Sequence, residues 1–161
     1  MQFRKTRKGR KIMKIFLACL LITAPCLLFG QTAERIERLL GQGRVSYRDA
    51  ALFVLEASGH LEPDRQTGAD DAFNFAMESG WLPKNAEANA DARLDGLSLL
   101  VINAFEINGG LFFSLFKNPH YAYRAMVYRE IVQGRTDPQM FVSGELLLYT
   151  VNRALGMGSK E

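Results

Sequence analysis

Residues 92–106 read ARLDGLSLLVINAFE, and this stretch decides the fold. A polar start is followed by a nearly unbroken run of leucine, valine, isoleucine and alanine, which is typical of a helix buried in a core. Two further stretches align with it without a gap, VSYRDAALFVLEASG at residues 45–59 and VSGELLLYTVNRALG at residues 142–156. The aligned apolar positions are Val54, Val101 and Val151, followed by Ala57, Ala104 and Ala154.

Helix-start signals are frequent along the rest of the chain. Capping-box patterns occur at Ser46–Asp49 and Thr67–Asp70, where a short polar side chain is followed by an acidic one. Asn118-Pro119 has the preferred N-cap residue followed by proline at the first helical position. Ser143 is expected to cap the last helix.

Helix ends are marked by glycine, and no stretch alternates with a period of two. The first helix, within residues 32–41, is expected to end at Gly41, and the helix after Thr67 at Gly80. Gly109-Gly110 is expected to stop the helix that starts at 93, and the helix after Asn118 to run to about Gln133. The phenylalanines expected to pack into the core are Phe112, Phe113 and Phe116. The sequence therefore predicts an all-α fold without a sheet.

Three helix–loop–helix units follow from the alignment, at residues 31–59, 60–110 and 111–157, with a tail at 158–161. Spacings of this size are typical of stacked repeats, in which no unit buries its apolar face alone. An alternative stays open, because any three amphipathic helices share apolar spacing.

Residues 1–30 have the pattern of a cleaved signal peptide. A basic cluster precedes the uncharged run IFLACLLITAPCLLF at residues 15–29, which is shorter than the about 20 residues of a membrane span. Met13 is the candidate true start, and cleavage is expected after Gly30. An uncleaved anchor and lipidation at Cys26 are the alternatives.

Charge and cysteine content exclude several classes of function. Seven basic residues and no acidic ones lie in residues 1–30, so residues 31–161 carry 13 basic against 17 acidic side chains. A nucleic-acid partner is therefore not expected. Both cysteines lie in the leader, which excludes a disulfide, a cysteine-ligated zinc and a thiol nucleophile from residues 31–161. No cofactor or metal site is predicted.

The repeat units resemble S-layer-homology repeats. AFNFAMESGWLPKNAEANADARLDGLSLLVINAFEI at residues 72–107 and YREIVQGRTDPQMFVSGELLLYTVNRALG at residues 128–156 each have the helix, glycine-containing loop and second helix of that family. Residues 33–59 resemble a shortened first repeat. The family's signature positions fall at Ser46–Asp49, Arg93–Gly96 and Ser143–Leu146, and only the first keeps an arginine and an acid after a hydroxyl. The resemblance implies a helical pseudo-trimer that holds cell-wall polymer, and the chain is also similar to small exported spirochaete envelope proteins.

Six side chains are candidates for ligand or partner binding: Trp81, Arg93, His120, Tyr121, Tyr123 and Arg124. Tyrosine beside arginine suits sugar stacking or a protein contact. At about 100° per residue, Tyr121 and Tyr128 fall close together and Tyr123 lies away from them, which predicts Tyr123 on an exposed face. The alternatives are a core helix rimmed by tyrosines, and Trp81 as a packing anchor.

The function expected from the sequence is a non-catalytic exported module of the periplasm or cell envelope, binding wall glycan or a protein partner. It is expected to meet a membrane only through its signal peptide. The rivals are a peptidoglycan hydrolase, with Glu106 or Glu130 as its acid, and a subunit of an envelope complex.

Overall fold

A computed structural model describes residues 33–62, 68–134 and 136–158. The chain divides into two compact units, residues 1–38 and 39–161. Of the first unit, residues 33–38 are described, and they are helical with an ion pair between Arg38 and Glu34 at 3.0 Å. The predicted signal peptide lies outside the described residues. The helix α1 covers residues 33–40 and ends before Gly41.

The second unit is built from helices, which confirms the all-α prediction. Within the described ranges, β-type pairing is limited to two isolated bridges, Ser46 with Asp91 and Arg93 with Phe141. The helices that follow α1 are α2 (Tyr47–Ala57), α3 (Ala69–Glu78), α4 (Leu94–Ala104), α5 (Gly110–Phe116), α6 (Pro119–Tyr128) and α7 (Gly144–Gly158).

Helices α2, α4 and α7 contact one another and form the centre of the core. The valine positions aligned in the sequence, Val54, Val101 and Val151, are all buried there. The most extensive packing joins α2 to α3 and α4 to α6. These two contacts cross the unit boundaries that the sequence placed at 59/60 and 110/111.

Three backbone hydrogen bonds close a ring between the loops that lead into α2, α4 and α7. The Val45 N–H donates to the Val142 carbonyl at 2.9 Å, the Val142 N–H to the Ala92 carbonyl at 2.9 Å, and the Ala92 N–H to the Val45 carbonyl at 2.8 Å. All three residues are fully buried. Because buried peptide groups are costly when unpaired, the ring fixes each loop against the other two.

Each N-terminus of these helices lies at the ring, and two of the predicted caps are confirmed. The Ser46 hydroxyl accepts from the Asp49 N–H at 3.2 Å, and the Ser143 hydroxyl accepts from the Leu146 N–H at 3.2 Å. Asn118 likewise caps α6 through the Tyr121 N–H at 3.0 Å. For α3 the prediction was one residue early, because Gly68 is the N-cap and its N–H donates to the Asp71 carboxylate at 3.1 Å.

Four helices end in the same left-handed motif, with glycine or glutamate at the positive-φ position. Gly59 and Gly80 have φ of 78° and 70°, and Glu106 and Glu130 have φ of 52° and 59°. In each case the next N–H bonds back to a carbonyl five residues earlier, as from Ile107 to Ile102 at 2.9 Å. This is the Schellman arrangement that terminates helices.

Those glutamates explain why the sequence overestimated two helices. The helix from 94 ends at Ala104 and does not reach Gly109, and α6 ends at Tyr128 and does not reach Gln133. Glutamate is a good helix former, so it gave no signal of a stop. For the last helix the sequence predicts an end at Gly156, and the structure is longer, because α7 continues through Gly156 to Gly158.

Helix α5 was not predicted, because Gly109-Gly110 was interpreted only as a stop. Gly109 is instead the N-cap of α5, and Gly110, with φ of 78°, is its first residue. Of the three phenylalanines expected in the core, Phe113 is buried, whereas Phe112 and Phe116 are exposed. The prediction was wrong for these two, because so short a helix turns only one of its phenylalanines inward.

Candidate functional site

The ring of loops leaves a polar groove of about 580 Å³ on its outer side. The groove brings together side chains from the loops before α2, α4 and α7. Those that line it most directly are Tyr47, Asp91, Arg93, Asp95, Gln139 and Phe141. Of the six binding candidates, Arg93 alone lies here, and Tyr47 and Asp95 belong to the signature stretches Ser46–Asp49 and Arg93–Gly96.

A chain of side-chain hydrogen bonds crosses the groove. The Arg93 guanidinium donates to the Gln139 side-chain oxygen, and the Gln139 amide nitrogen donates to Asp95 Oδ2 at 3.2 Å. Asp95 Oδ1 also accepts from the Gly96 N–H at 2.7 Å. Arginine, amide and carboxylate are thereby held side by side and offer both donors and acceptors to a ligand.

A second pairing closes one end of the groove. Arg44 Nη1 lies 3.0 Å from Asp91 Oδ2, and the Arg44 guanidinium carbon lies 4.2 Å from the centre of the Phe141 ring. This cation–π contact joins the loop before α2 to the loop before α7. Phe141 is partly exposed and presents an aromatic ring beside the polar row.

Tyr47 forms the buried floor of the groove. Its hydroxyl oxygen accepts from the Arg93 backbone N–H at 3.3 Å. Burial raises the pKa of Tyr47 above its usual value, the hydrogen bond from Arg93 works against that rise, and the nearby Asp95 charge adds to it. A Cβ on Gly96 would lie 2.5 Å from the Tyr47 oxygen, so this position needs glycine for the tyrosine to reach the groove.

Trp81 lies in a separate aromatic cluster. Its ring meets His60 edge-on at 5.0 Å between centroids and Phe75 edge-on at 5.5 Å. Edge-to-face geometry of this kind stabilises packing. Trp81 is half-buried and packs against the core, and His60 is exposed and hydrogen-bonds to Ser58 at 2.9 Å.

The tyrosine-and-arginine candidates lie along an apolar groove of about 390 Å³ between α5 and α6. Tyr121 stacks on Phe112 and on Phe116, with centroids 5.8 and 5.2 Å apart. His120 is exposed and meets Tyr121 edge-on at 5.5 Å. Arg124 is exposed and lies at the rim of the same groove.

Around this groove a large apolar surface is exposed. We call it the α5 face, and it consists of Leu111, Phe112, Leu115, Phe116 and Tyr128. Leu111 is 79% exposed, Leu115 72% and Tyr128 89%. This surface was not predicted, although Leu111 and Leu115 are spaced across one helical turn and so fall on one side of a helix.

Tyr123 lies away from the other tyrosines, as the angular argument predicted, but its side chain is half-buried. Its hydroxyl lies 2.9 Å from the Thr136 carbonyl and 2.9 Å from the Thr136 hydroxyl. It therefore ties α6 to the loop before α7. This contact favours a structural role over the exposed binding role expected from the sequence.

The two glutamates considered for a hydrolase, Glu106 and Glu130, are both exposed and both terminate helices. In the described part of the chain, no group of three His, Asp, Glu or Cys side chains converges as metal ligands do. No helix within those ranges has the length and apolar content needed to span a membrane.

Comparison with protein-family models, with curated proteins and with solved structures finds no match to this chain.

Proposed function

We propose that this chain is a non-catalytic, exported binding module of the cell envelope, built as an S-layer-homology-like pseudo-repeat, whose polar groove binds wall glycan. The hydrogen-bond ring supports the repeat, because Val45, Ala92 and Val142 occupy aligned sequence positions and make the same contact in turn. The basic and apolar pattern of residues 1–30 supports export.

The observation that carries the glycan proposal is the row of Arg93, Gln139 and Asp95 beside the exposed ring of Phe141. Sugars present hydroxyl groups that both donate and accept, and apolar C–H faces that pack on aromatic rings. The row supplies donors and acceptors for the first, and Phe141 supplies a surface for the second.

The fixed positions of these side chains also favour ligand binding over a purely structural role. Arg93 is exposed and lines the groove, and its guanidinium donates to Gln139 through one nitrogen. A ligand therefore meets an arginine whose rotamer is already restricted, which lowers the entropy lost on binding.

The test is co-sedimentation of the protein with purified sacculi that retain their wall polymer. Arg93→Ala and Gln139→Ala are each expected to weaken retention by about tenfold, since a hydrogen bond to a charged group contributes about 1.5–3 kcal/mol. Lys84→Gln, on the neighbouring loop, is the matched control and is expected to leave retention unchanged.

Thermal melting of the same variants separates binding from folding. Arg93→Ala should melt within a few degrees of the parent, because surface substitutions change stability by about 0.5 kcal/mol or less. Retention that is equal for Arg93→Ala and the parent would refute the glycan site. If the parent protein releases soluble wall fragments, the chain is a hydrolase and the proposal of a non-catalytic binding module is refuted.

Export has its own test. The protein recovered from envelope fractions is expected to begin at Gln31 on N-terminal sequencing. A chain that begins at Met1 or Met13 and stays in the cytoplasm would refute the location.

A further inference from the structure

We propose that the α5 face is a second binding surface, which docks on a lipid bilayer that contains anionic phospholipids. This goes beyond the glycan groove and uses none of its residues. It also departs from the expectation that the chain meets a membrane only through its leader.

The first argument is the apolar surface itself. Leu111, Phe112, Leu115 and Phe116 come from one short helix, and each is more than half exposed. Most exposed apolar side chains occur singly, and a contiguous group of large ones marks an interaction site. Leucine and phenylalanine on one side of a surface helix are what interfacial membrane segments use.

The second argument is that the face is preorganised. Tyr121 stacks on both Phe112 and Phe116, within 14° and 21° of parallel. The stacks hold α5 against α6, and Leu111 and Leu115 stay exposed. An ordered face loses little side-chain freedom when it is covered, which favours binding by a fixed partner surface.

The third argument, charge, selects the partner. Helices α5 and α6 carry Arg124 and no acidic residue, and Arg129 follows α6 directly, although residues 31–161 as a whole carry more acidic than basic side chains. Lys117 lies between the two helices and lines a separate pocket with Glu106, and Glu130 follows Arg129. Arg124 and Arg129 lie at the rim of the apolar groove between α5 and α6. Among the described residues, none of the three cations forms an ion pair with a carboxylate.

Apolar side chains beside the two cations Arg124 and Arg129 complement a bilayer whose headgroups are anionic, because the apolar part enters the acyl boundary while the cations meet phosphate. A second copy of the chain fits less well. A symmetric dimer through this face would bring Arg124 and Arg129 of each copy toward those of the other.

The experiment uses the full chain with a local reporter. Trp81 is the only tryptophan, so Trp81→Phe combined with Phe116→Trp places the single indole on the α5 face. Vesicles of phosphatidylcholine with an equal part of phosphatidylglycerol are added, with bromine on the acyl chains in a parallel set. Because the signal comes from residue 116, membrane contact by the leader does not produce it.

The expected result is a blue shift and bromine quenching of the indole with mixed vesicles, and neither with phosphatidylcholine alone. In the reporter chain, Leu115→Ser should lower the vesicle partition coefficient by about tenfold through lost apolar burial. Arg124→Gln should lower it by about fivefold, which corresponds to about 1 kcal/mol per cation near an anionic surface. High salt should also weaken vesicle binding, because it screens the attraction between the cations and the anionic headgroups.

Two matched control variants test whether the effect is specific to the α5 face. Leu155 is an exposed leucine on α7, and Lys84 is an exposed lysine on the loop before α4. Leu155→Ser and Lys84→Gln should leave the indole response unchanged.

Three outcomes would overturn the proposal. The first is an indole that is not quenched by brominated lipid while the leader holds the chain on the vesicle. The second is equal response to vesicles with and without phosphatidylglycerol. The third is a chain that dimerises in solution through Leu115, with the blue shift following protein concentration and not lipid.

Discussion

The polar groove and the α5 face lie on the same folded unit, but they differ in which segments supply their side chains and in how those side chains are held. In the groove, side chains from three loops are tied to one another, as Arg93, Gln139 and Asp95 are, and the backbone beneath them closes a ring. On the α5 face, apolar side chains from α5 and the end of α6 extend into solvent, and within the described ranges the adjacent Arg124 and Arg129 form no ion pair with a carboxylate. The difference teaches that a site can be made by convergence of distant segments or by what a single segment leaves uncovered.

That difference has a consequence for mutation. Changes at the ring should affect folding first and binding second, because each loop supports the other two. Changes on the α5 face should affect binding alone, because little packs against its outer side.

The largest expected effect is Val101→Asp. Val101 is fully buried between the central helices, and an unpaired buried carboxylate costs several kcal/mol out of the about 5–15 kcal/mol that holds a domain together. The variant should be unfolded by circular dichroism at room temperature, and Val54→Asp and Val151→Asp should behave alike. Val127→Asp, at a valine 41% exposed on α6, should stay folded. A folded Val54, Val101 or Val151 variant would remove that helix from the central trio.

The next is Gly144→Ala, at the first residue of α7. A Cβ there would lie 1.7 Å from the Leu39 carbonyl oxygen near the end of α1, and because that atom belongs to the backbone, either the end of α1 or the start of α7 must move. We expect a loss of about 3 kcal/mol, at the upper end for overpacking, measured by urea unfolding. Gly156→Ala in the same helix meets nothing within 4 Å and should stabilise by up to about 1 kcal/mol. Equal stability of the two variants would show that the close approach of Gly144 to Leu39 relaxes at little cost.

A third effect is confined to alkaline pH. Burial raises the pKa of Tyr47 above its ordinary value near 10, so the folded state holds this proton more tightly than the unfolded chain. That contribution is fully present below the unfolded pKa and is lost as pH rises through the folded pKa. Tyr47→Phe should therefore flatten the fall in urea midpoint above about pH 10. Tyr128→Phe, at an exposed tyrosine, is the matched control variant. If the urea midpoint of both variants depends on alkaline pH in the same way, burial of Tyr47 makes no contribution to that dependence.

A smaller effect is expected for Tyr123→Phe. It removes the contact to Thr136 and should cost about 1 kcal/mol in chemical unfolding, the usual contribution of one hydrogen bond. It should leave both sacculus retention and vesicle binding unchanged. Lost retention with unaltered stability would instead return Tyr123 to a binding role.

The smallest is a gain. Glu106 has a φ of 52°, a backbone conformation that strains residues with a Cβ but not glycine. Gly59 occupies the aligned position with a φ of 78°. Glu106→Gly should stabilise by a few tenths to about 1 kcal/mol, since relief of left-handed strain exceeds the entropy that glycine adds to the unfolded chain. A lower melting temperature would mean that the Glu106 side chain contributes contacts of its own.

Much of the fold was predictable because its helices carry strong local signals. Ser46, Asn118 and Ser143 are N-caps by residue type alone, and the buried valines follow from helical periodicity. The errors at Glu106, Glu130 and α5 share one cause, since tertiary packing ended or started a helix against the local preference.

The candidate sites were less predictable, for reasons that differ between them. The groove joins Tyr47, Arg93 and Gln139, which are far apart in sequence, so no local pattern reveals that they meet. Arg93 alone was among the predicted binding residues, although Tyr47 and Asp95 stand in the same family signature. For the α5 face the composition was noticed, but periodicity does not say which side of a short helix faces the core.

The ring of loops also governs the order in which the chain can finish folding. Val142 is both donor and acceptor in it, so the ring cannot close until the last of its three segments has been synthesised. Until then, the Val45 N–H and the Ala92 carbonyl each lack the partner that Val142 provides. A growing chain can form only the bond between Ala92 and Val45, and the closing step joins contacts roughly a hundred residues apart, which makes folding late and cooperative. Ribosome-bound chains that stop short of Val142 should be readily cleaved by protease, and protection should arise with the final helix.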